Sequence, residues 1–82
     1  MQADENQIIT KRFFEALYAL KSRGDIRGKQ TFTARYGINR WNLNALEKGT
    51  GTMTNVQLAW LTYLVRDYDV SARWLLTGYK SL

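Results

Sequence analysis

Large apolar residues recur along the chain at helical spacing. Over residues 6–22 they fall three or four positions apart, which places them on one face of an α-helix. The residues on this face are Ile9, Phe13, Leu17 and Leu20. Nowhere do apolar and polar residues alternate as they would in a half-buried strand. The pattern predicts an all-α protein that begins with a long amphipathic helix.

A glycine closes each of the next two predicted helices. Residues 29–36 form a short helix that ends at Gly37, which can adopt the positive φ needed for a tight reversal. Residues 40–48 form another short helix, with Asn39 as its N-cap and Gly49 as its C-terminal stop. Three residues therefore separate these two helices.

Capping residues mark two more helices towards the C-terminal end. Thr54, with Gln57 three residues later, has the pattern of a capping box, which predicts a fourth helix over residues 55–67. Ser71 caps a fifth helix over residues 72–77. The sequence thus predicts five helices in a single domain.

The predicted fourth helix is apolar on nearly all sides. One stripe, formed by Leu58, Leu61 and Val65, is sufficient to bury it in a small bundle. Further apolar residues are then left over, namely Val56, Trp60, Tyr63 and Leu64, with Tyr79 and Leu82 in the tail. We expect a partner to cover this surplus, because exposed apolar patches of more than a few hundred Å² usually mark interaction surfaces.

Absent residue types exclude several classes of chemistry. The chain has no Cys and no His, which excludes zinc sites of the Cys/His kind, thiol nucleophiles and imidazole catalysis. It also lacks a GxxxxGK phosphate loop. We therefore expect no enzymatic activity, no catalytic residue, no metal and no cofactor.

No apolar run approaches the roughly 20 residues that span a bilayer, and the polar start is unlike a signal peptide, so we expect a cytoplasmic protein without membrane contact.

The positive charge is concentrated in one third of the chain. Of the formal net charge of +5, all is accounted for by residues 21–48, which hold seven basic and two acidic residues. Such a footprint is typical of proteins that bind a polyanion. Charge alone fits an ordinary solvated face equally well, so the motif within this segment decides between the two.

The two short helices of the basic segment have the pattern of a helix-turn-helix. Leu43 and Leu46 would pack on the preceding helix, which leaves the opposite face free to enter the major groove of DNA. Arg can contact guanine and Asn can contact adenine through paired hydrogen bonds. The candidate base readers are Arg40, Trp41, Asn42 and Asn44. The candidate phosphate contacts are Lys29, Arg35, Lys48 and Thr50.

The chain at this point resembles the helix-turn-helix family of Cro and lambda-repressor-like regulators. The resemblance lies in the run Gly-Ile-Asn-Arg at 37–40, in Leu43, Leu46, Glu47 and Gly49, and in the closing segments Tyr-Asp-Val-Ser at 68–71 and Trp-Leu-Leu-Thr-Gly at 74–78. It implies a five-helix lambda-repressor-like bundle, a third helix in the major groove, and a homodimer on a near-palindromic operator. It also implies that Glu47 pairs with a basic residue late in the first helix, for which Lys21 is the candidate.

Three residues depart from the family pattern. Thr33 stands where a small Ala is usual, Lys29 where a Gln often contacts phosphate, and Trp41 where a small or polar base reader is usual. The base-reading code of the family therefore does not transfer. For Trp41, packing on the protein and contact with a sugar or a thymine methyl group stay open as alternatives.

The predicted function is a sequence-specific regulator of transcription that binds double-stranded DNA as a homodimer, of the kind found in phage and mobile elements as repressors. Residues 1–82 would form one DNA-binding domain, with residues 1–6 mobile. One alternative is an antitoxin that uses the surface of the fourth and fifth helices to bind a toxin. The other is a protein-interaction module of the same fold that has lost DNA binding.

Overall fold

Five helices make up the part of the chain described by the computed structural model, which is residues 2–51 and 55–79. They are α1 (Gln2–Arg23), α2 (Lys29–Tyr36), α3 (Arg40–Lys48), α4 (Leu58–Tyr68) and α5 (Ala72–Thr77). Over these residues the backbone forms no strand. The predicted all-α class with five helices is confirmed.

The bounds of α2, α3 and α5 agree with the sequence prediction residue for residue. Asn39 caps α3, since its Oδ1 accepts hydrogen bonds from the backbone N–H groups of Trp41 at 2.8 Å and Asn42 at 3.2 Å. Ser71 caps α5, and its Oγ accepts from the backbone N–H of Trp74 at 3.1 Å. These side chains satisfy N–H groups that have no acceptor within the helix, which fixes where each helix begins.

The first helix forms the centre of the bundle. It begins at Gln2, four residues earlier than predicted, and packs against α3, α4 and α5. Phe13, Leu17 and Leu20 are fully buried and Ile9 is half-buried, which confirms the predicted apolar face. The mobility expected of residues 1–6 stays a prediction.

The predicted start of α4 is wrong. The helix begins at Leu58 rather than at residue 55, and Gln57, at the N-cap position, makes no side-chain capping hydrogen bond. Thr54, one half of the predicted capping box, lies outside the described residues. The backbone N–H of Val56 instead donates to Oγ1 of Thr10 on α1 at 3.1 Å. This long-range hydrogen bond holds the segment before α4 against α1.

The buried face of α4 is wider than the predicted stripe and includes only part of it. Within the predicted stripe, Leu61 is buried and Val65 is half-buried against the core, whereas Leu58 is 79% exposed. Trp60 and Leu64, which were predicted as surplus, are buried as well, and Tyr63 is half-buried. The apolar surface that α4 leaves exposed therefore lies around Leu58, beside α5. There it forms a groove of about 410 Å³ between α4 and α5, lined by Leu58, Leu61, Thr62, Val65, Arg66, Ala72, Leu75 and Leu76. Tyr79 and Leu82 in the tail were expected to add to the apolar surplus, and Leu82 lies outside the described residues.

Aromatic rings fix α2 between α1 and α4. Phe32 of α2 packs edge-on against Phe13 of α1, with ring centroids 5.8 Å apart. Tyr36, one turn further along α2, stacks on Tyr63 of α4 with a centroid distance of 4.0 Å and an interplanar angle of 2°. Aromatic pairs of this kind add about 0.5–1.5 kcal/mol beyond the area they bury. These contacts fix the position of α2, and with it the turn into α3, against α1 and α4.

Candidate nucleic-acid interface

The reversal between α2 and α3 is built on a glycine. Gly37 has φ 65° in the left-handed region, and its N–H donates to the carbonyl oxygen of Thr33. The N–H of Ile38 donates to the same oxygen at 2.9 Å, and the Ile38 side chain packs against the core. The chain therefore reverses within three residues, and α3 packs directly on α2.

The third helix turns its apolar side inward and a basic side outward. Leu43 is fully buried and Leu46 is 5% exposed. Arg40, Trp41 and Lys48 are exposed on the other side. Within residues 2–51 and 55–79, neither Arg40 nor Lys48 forms an ion pair. Both cations are thus available to an external anion or acceptor.

The two asparagines of α3 are less accessible than Arg40 and Trp41. Asn42 is half-buried and lines a cleft towards Gln57, the residue before α4. Asn44 is half-buried as well, and its Oδ1 is buried and accepts no hydrogen bond from the described residues. A paired contact with adenine uses both the oxygen and the nitrogen of the amide. Of the four predicted base readers, the structure presents Arg40 and Trp41 outward and keeps the two asparagines partly covered.

A carboxylate joins the first three helices. Glu47 on α3 accepts hydrogen bonds from the O–H of Tyr18 on α1 and from the ammonium of Lys29 on α2, where the N–O distance is 2.5 Å. The expected pairing of Glu47 with Lys21 is therefore wrong, because Tyr18, one turn earlier on α1, takes that place. Burial raises the pKa of Glu47, but the hydrogen bonds from Lys29 and Tyr18 outweigh it and lower the pKa below its ordinary value.

This pairing also changes the interpretation of Lys29. Its hydrogen bond with Glu47 raises the pKa of the ammonium, which stays charged but is balanced by the carboxylate. Both side chains are less than a third exposed. Lys29 thus ties α2 to α3, and its placement does not support the predicted phosphate contact.

Arg35 is engaged with α4. Its guanidinium lies over the rings of Tyr36 and Tyr68, 5.3 Å from each centroid, and its Nη2 lies 3.9 Å from Oδ2 of Asp67. A guanidinium stacked on two rings gains from the negative potential of their faces. The predicted phosphate contact of Arg35 is likewise not supported by its position.

The N–H of Thr50 completes the end of α3 and is not directed at a ligand. It donates to the carbonyl oxygen of Ala45 at 3.0 Å, while the N–H of Gly49 donates to that of Leu46 at 3.2 Å. Both groups are used by the C-terminal cap of the helix. Of the predicted phosphate contact, only the hydroxyl of the exposed Thr50 stays available.

Two cations that were not predicted as DNA contacts lie near the beginning of α2, Lys21 at the end of α1 and Arg27 in the loop that follows. Lys21 and Arg27 line a cleft of about 150 Å³ together with Gly28 and Gln30. Both are exposed, and in the described part of the chain neither forms an ion pair. The first N–H groups of a helix attract anions, and Gly28 provides no side-chain cap for them. Only the charge of the whole segment pointed to these residues as DNA contacts, because both lie outside the two helices of the predicted helix-turn-helix.

Comparison with models of protein families, with curated proteins and with solved structures finds no match to this chain. Among residues 2–51 and 55–79, no three Asp or Glu side chains are grouped so that they could hold a metal ion. No helix in that part is long and apolar enough to cross a membrane. Function is therefore inferred from the exposed faces of α2 and α3.

A hydrogen-bonded network fastens α2 to the end of α4. The O–H of Tyr36 donates to Oδ2 of Asp67 at 2.5 Å, and Arg66 donates to both carboxylate oxygens at 2.9 Å. The hydrogen bonds from Arg66 and Tyr36 hold the pKa of Asp67 well below its ordinary value. Burial, together with the hydrogen bond to Asp67, raises the pKa of Tyr36 well above its own.

We expect this network to make the protein sensitive to acid. A carboxyl group with a lower pKa in the folded than in the unfolded state stabilises the fold fully above its unfolded pKa of about 4, and that contribution is lost as the pH falls towards the folded value. Between about pH 5 and pH 2 the thermal unfolding midpoint of Asp67→Asn should therefore fall less than that of the wild type.

Asp69→Asn is the control for this experiment. Asp69 forms no ion pair among the described residues, and its φ of 58° is one that Asn tolerates. It should keep the acid sensitivity of the wild type. Identical pH profiles for the wild type and Asp67→Asn would contradict the prediction.

Proposed function

We propose that this protein binds double-stranded DNA and regulates transcription, with the outer face of α3 in the major groove. The observation that carries the proposal is the exposure of Arg40 and Trp41 in the first turn of a helix that Asn39 caps and that packs on α2. An α-helix fits the major groove of B-DNA, and its N-terminal residues are the ones that usually contact base edges. Arg40 contacts guanine through paired hydrogen bonds.

Cations on both sides of this face bind the phosphate backbone. Lys21 at the end of α1 and Arg27 in the next loop line a cleft beside the beginning of α2. Lys48 lies at the end of α3, where it lines a cleft with Lys11 of α1. Backbone contacts of this kind set the register of a protein on the duplex without reading its sequence. The proposal thus assigns base contacts to the first turn of α3 and phosphate contacts to the two flanks.

The protein acts as a homodimer. At about 1.5 Å per residue, α3 is only about 14 Å long and covers about four base pairs, too few to define a unique operator. A second copy docks on the groove between α4 and α5, where Leu58 is 79% and Leu76 50% exposed. Among the described residues that line the groove, Arg66 alone is charged, and Asp67 pairs with it at 2.9 Å. Two basic copies can therefore meet there with little charge repulsion.

Selection of duplexes from a random pool, followed by binding measurements on variants, tests the proposal. Arg40→Ala should cost about 1–3 kcal/mol per half-site on the selected sequence and relax the preference for one base pair. Arg27→Ala should weaken binding to all duplexes alike, because a phosphate contact carries no sequence information. The two variants remove the same charge and differ only in its position.

A third variant separates position from net charge. Arg73→Ala removes a charge from α5 at a residue that lies outside both the basic segment and the lining of the groove between α4 and α5. It should leave the preferred site and the affinity nearly unchanged. A protein that selects no sequence and binds no duplex would refute the proposal. If Arg27→Ala changed the base preference and Arg40→Ala did not, the assignment of the two residues would be inverted.

A further inference from the structure

One large apolar side chain lies alone on the basic face. Trp41 is 69% exposed, whereas Trp60 is buried and Trp74 packs against the core. The other exposed large apolar residues in the described chain, Ile8, Tyr18, Leu58, Leu76 and Tyr79, all lie outside α3. A single indole is far smaller than the roughly 800 Å² that each partner contributes to a stable protein interface. Its apolar surface therefore fits a small apolar group at the proposed DNA interface better than a protein.

The residues next to Trp41 indicate that DNA covers its side chain. Arg40 precedes it in the same turn of α3, and Lys48 lies on the same exposed side of the helix. Consecutive residues of a helix diverge by about 100°, so Arg40 and Trp41 address neighbouring positions in a groove, not the same one. A ligand that satisfies both must offer an acceptor for a guanidinium next to an apolar group.

The major groove offers one such apolar group. Base pairs present hydrogen-bond donors and acceptors there, and among the four unmodified bases only thymine adds an alkyl group, its C5-methyl. The indole ring has one N–H donor and no acceptor, so its large surface gains little from the polar edges of the other bases. Contact with the methyl group removes apolar surface of both partners from water.

On the basis of the proposed function, we infer that Trp41 reads the C5-methyl group of a thymine adjacent to the base pair that Arg40 contacts. Thymine at this position is selected for its methyl group and not for its hydrogen bonds. Trp41 is thus a residue that determines sequence specificity at the interface, which a small side chain at this position could not do through the same contact.

Replacement of thymine by deoxyuridine tests this inference, because it deletes the methyl group and leaves the base-pairing hydrogen bonds intact. Starting from the selected duplex, each thymine is replaced in turn and the dissociation constant is measured. One position per half-site should weaken binding by the wild type about fourfold, the effect of one buried methyl-sized group. Trp41→Ala should bind the thymine and deoxyuridine duplexes equally, and Trp41→Phe should keep a preference for thymine.

The variants are expected to fold, since Trp41 is largely exposed, and an unchanged thermal unfolding midpoint checks this. If the protein binds its duplex but no deoxyuridine replacement matters, the inference is overturned and the proposed function stands. If the preference persists in Trp41→Ala, another residue reads the methyl group and the inference is overturned as well. If the wild type binds no duplex, the proposed function fails and the inference fails with it.

Discussion

Binding to the selected duplex should weaken about a thousandfold when the monovalent salt concentration rises from about 50 to about 200 mM. Lys21, Arg27 and Lys48 lie beside α2 and α3, and no carboxylate pairs with them in the described part of the chain. A dimer that places these three cations of each protomer on phosphates releases about six counterions, which gives a slope of log K against log salt of about −5. Titrations at four salt concentrations measure this slope.

Two variants show whether the slope comes from the assigned residues. Arg27→Gln removes one phosphate contact from each protomer, so the slope of the dimer should become shallower by about 2. Arg73→Gln removes the same charge from α5 and should leave the slope unchanged. A wild-type slope shallower than about −2 would contradict the proposed interface, since it would leave most of the basic segment without phosphate contacts.

Local signals were sufficient where a helix end is determined by its own residues. Asn39 and Ser71 hydrogen-bond to the first turns of α3 and α5, and Gly37, Gly49 and Gly78 all adopt left-handed φ after α2, α3 and α5. Each of these devices acts within a few residues of sequence. The bounds of the three helices could therefore be predicted, and with them the position of the first turn of α3.

The sequence-based predictions failed where the local structure depends on a residue that is distant in the sequence. The start of α4 depends on the hydrogen bond from the Val56 N–H to Thr10, which is 46 positions earlier in the sequence. The buried face of α4 could not be chosen from periodicity, because apolar residues surround the helix. The partner of Glu47 had the same difficulty, since Tyr18 and Lys21 are neighbours on α1 and only the packing of α1 on α3 selects between them.

The sequence predicted which residue types form the candidate site, but only partly which of these side chains are exposed. Sequence chemistry identified Arg40 and Trp41, which the structure leaves exposed, and also Asn44, whose oxygen is buried. It assigned Lys29 to phosphate because it could not detect the ion pair with Glu47. Side-chain type indicates what a residue can bind, while its neighbours in the fold determine whether the group is available.

Leu58→Glu should convert the complex on DNA from two protomers to one and weaken binding about a hundredfold or more. Leu58 lies in the groove between α4 and α5 and is 79% exposed, so in a dimer of the proposed kind its substitution buries a charge on both sides of the interface. Without dimerisation, each half-site is bound independently, and the gain of about 10²–10⁴ from the second site is lost. Sedimentation with and without the selected duplex measures the stoichiometry, and titration measures the affinity.

Ile8→Glu provides the matched control, because Ile8 is an exposed apolar residue of α1 outside the groove. It introduces the same charge and should leave both stoichiometry and affinity close to those of the wild type. Circular dichroism of both variants checks that the helices are intact. If one wild-type protomer bound a selected site without two-fold symmetry, or if Leu58→Glu bound like the wild type, the homodimer would be refuted. The exposed leucines of α4 and α5 would then favour a different protein partner, as in an antitoxin of the same fold.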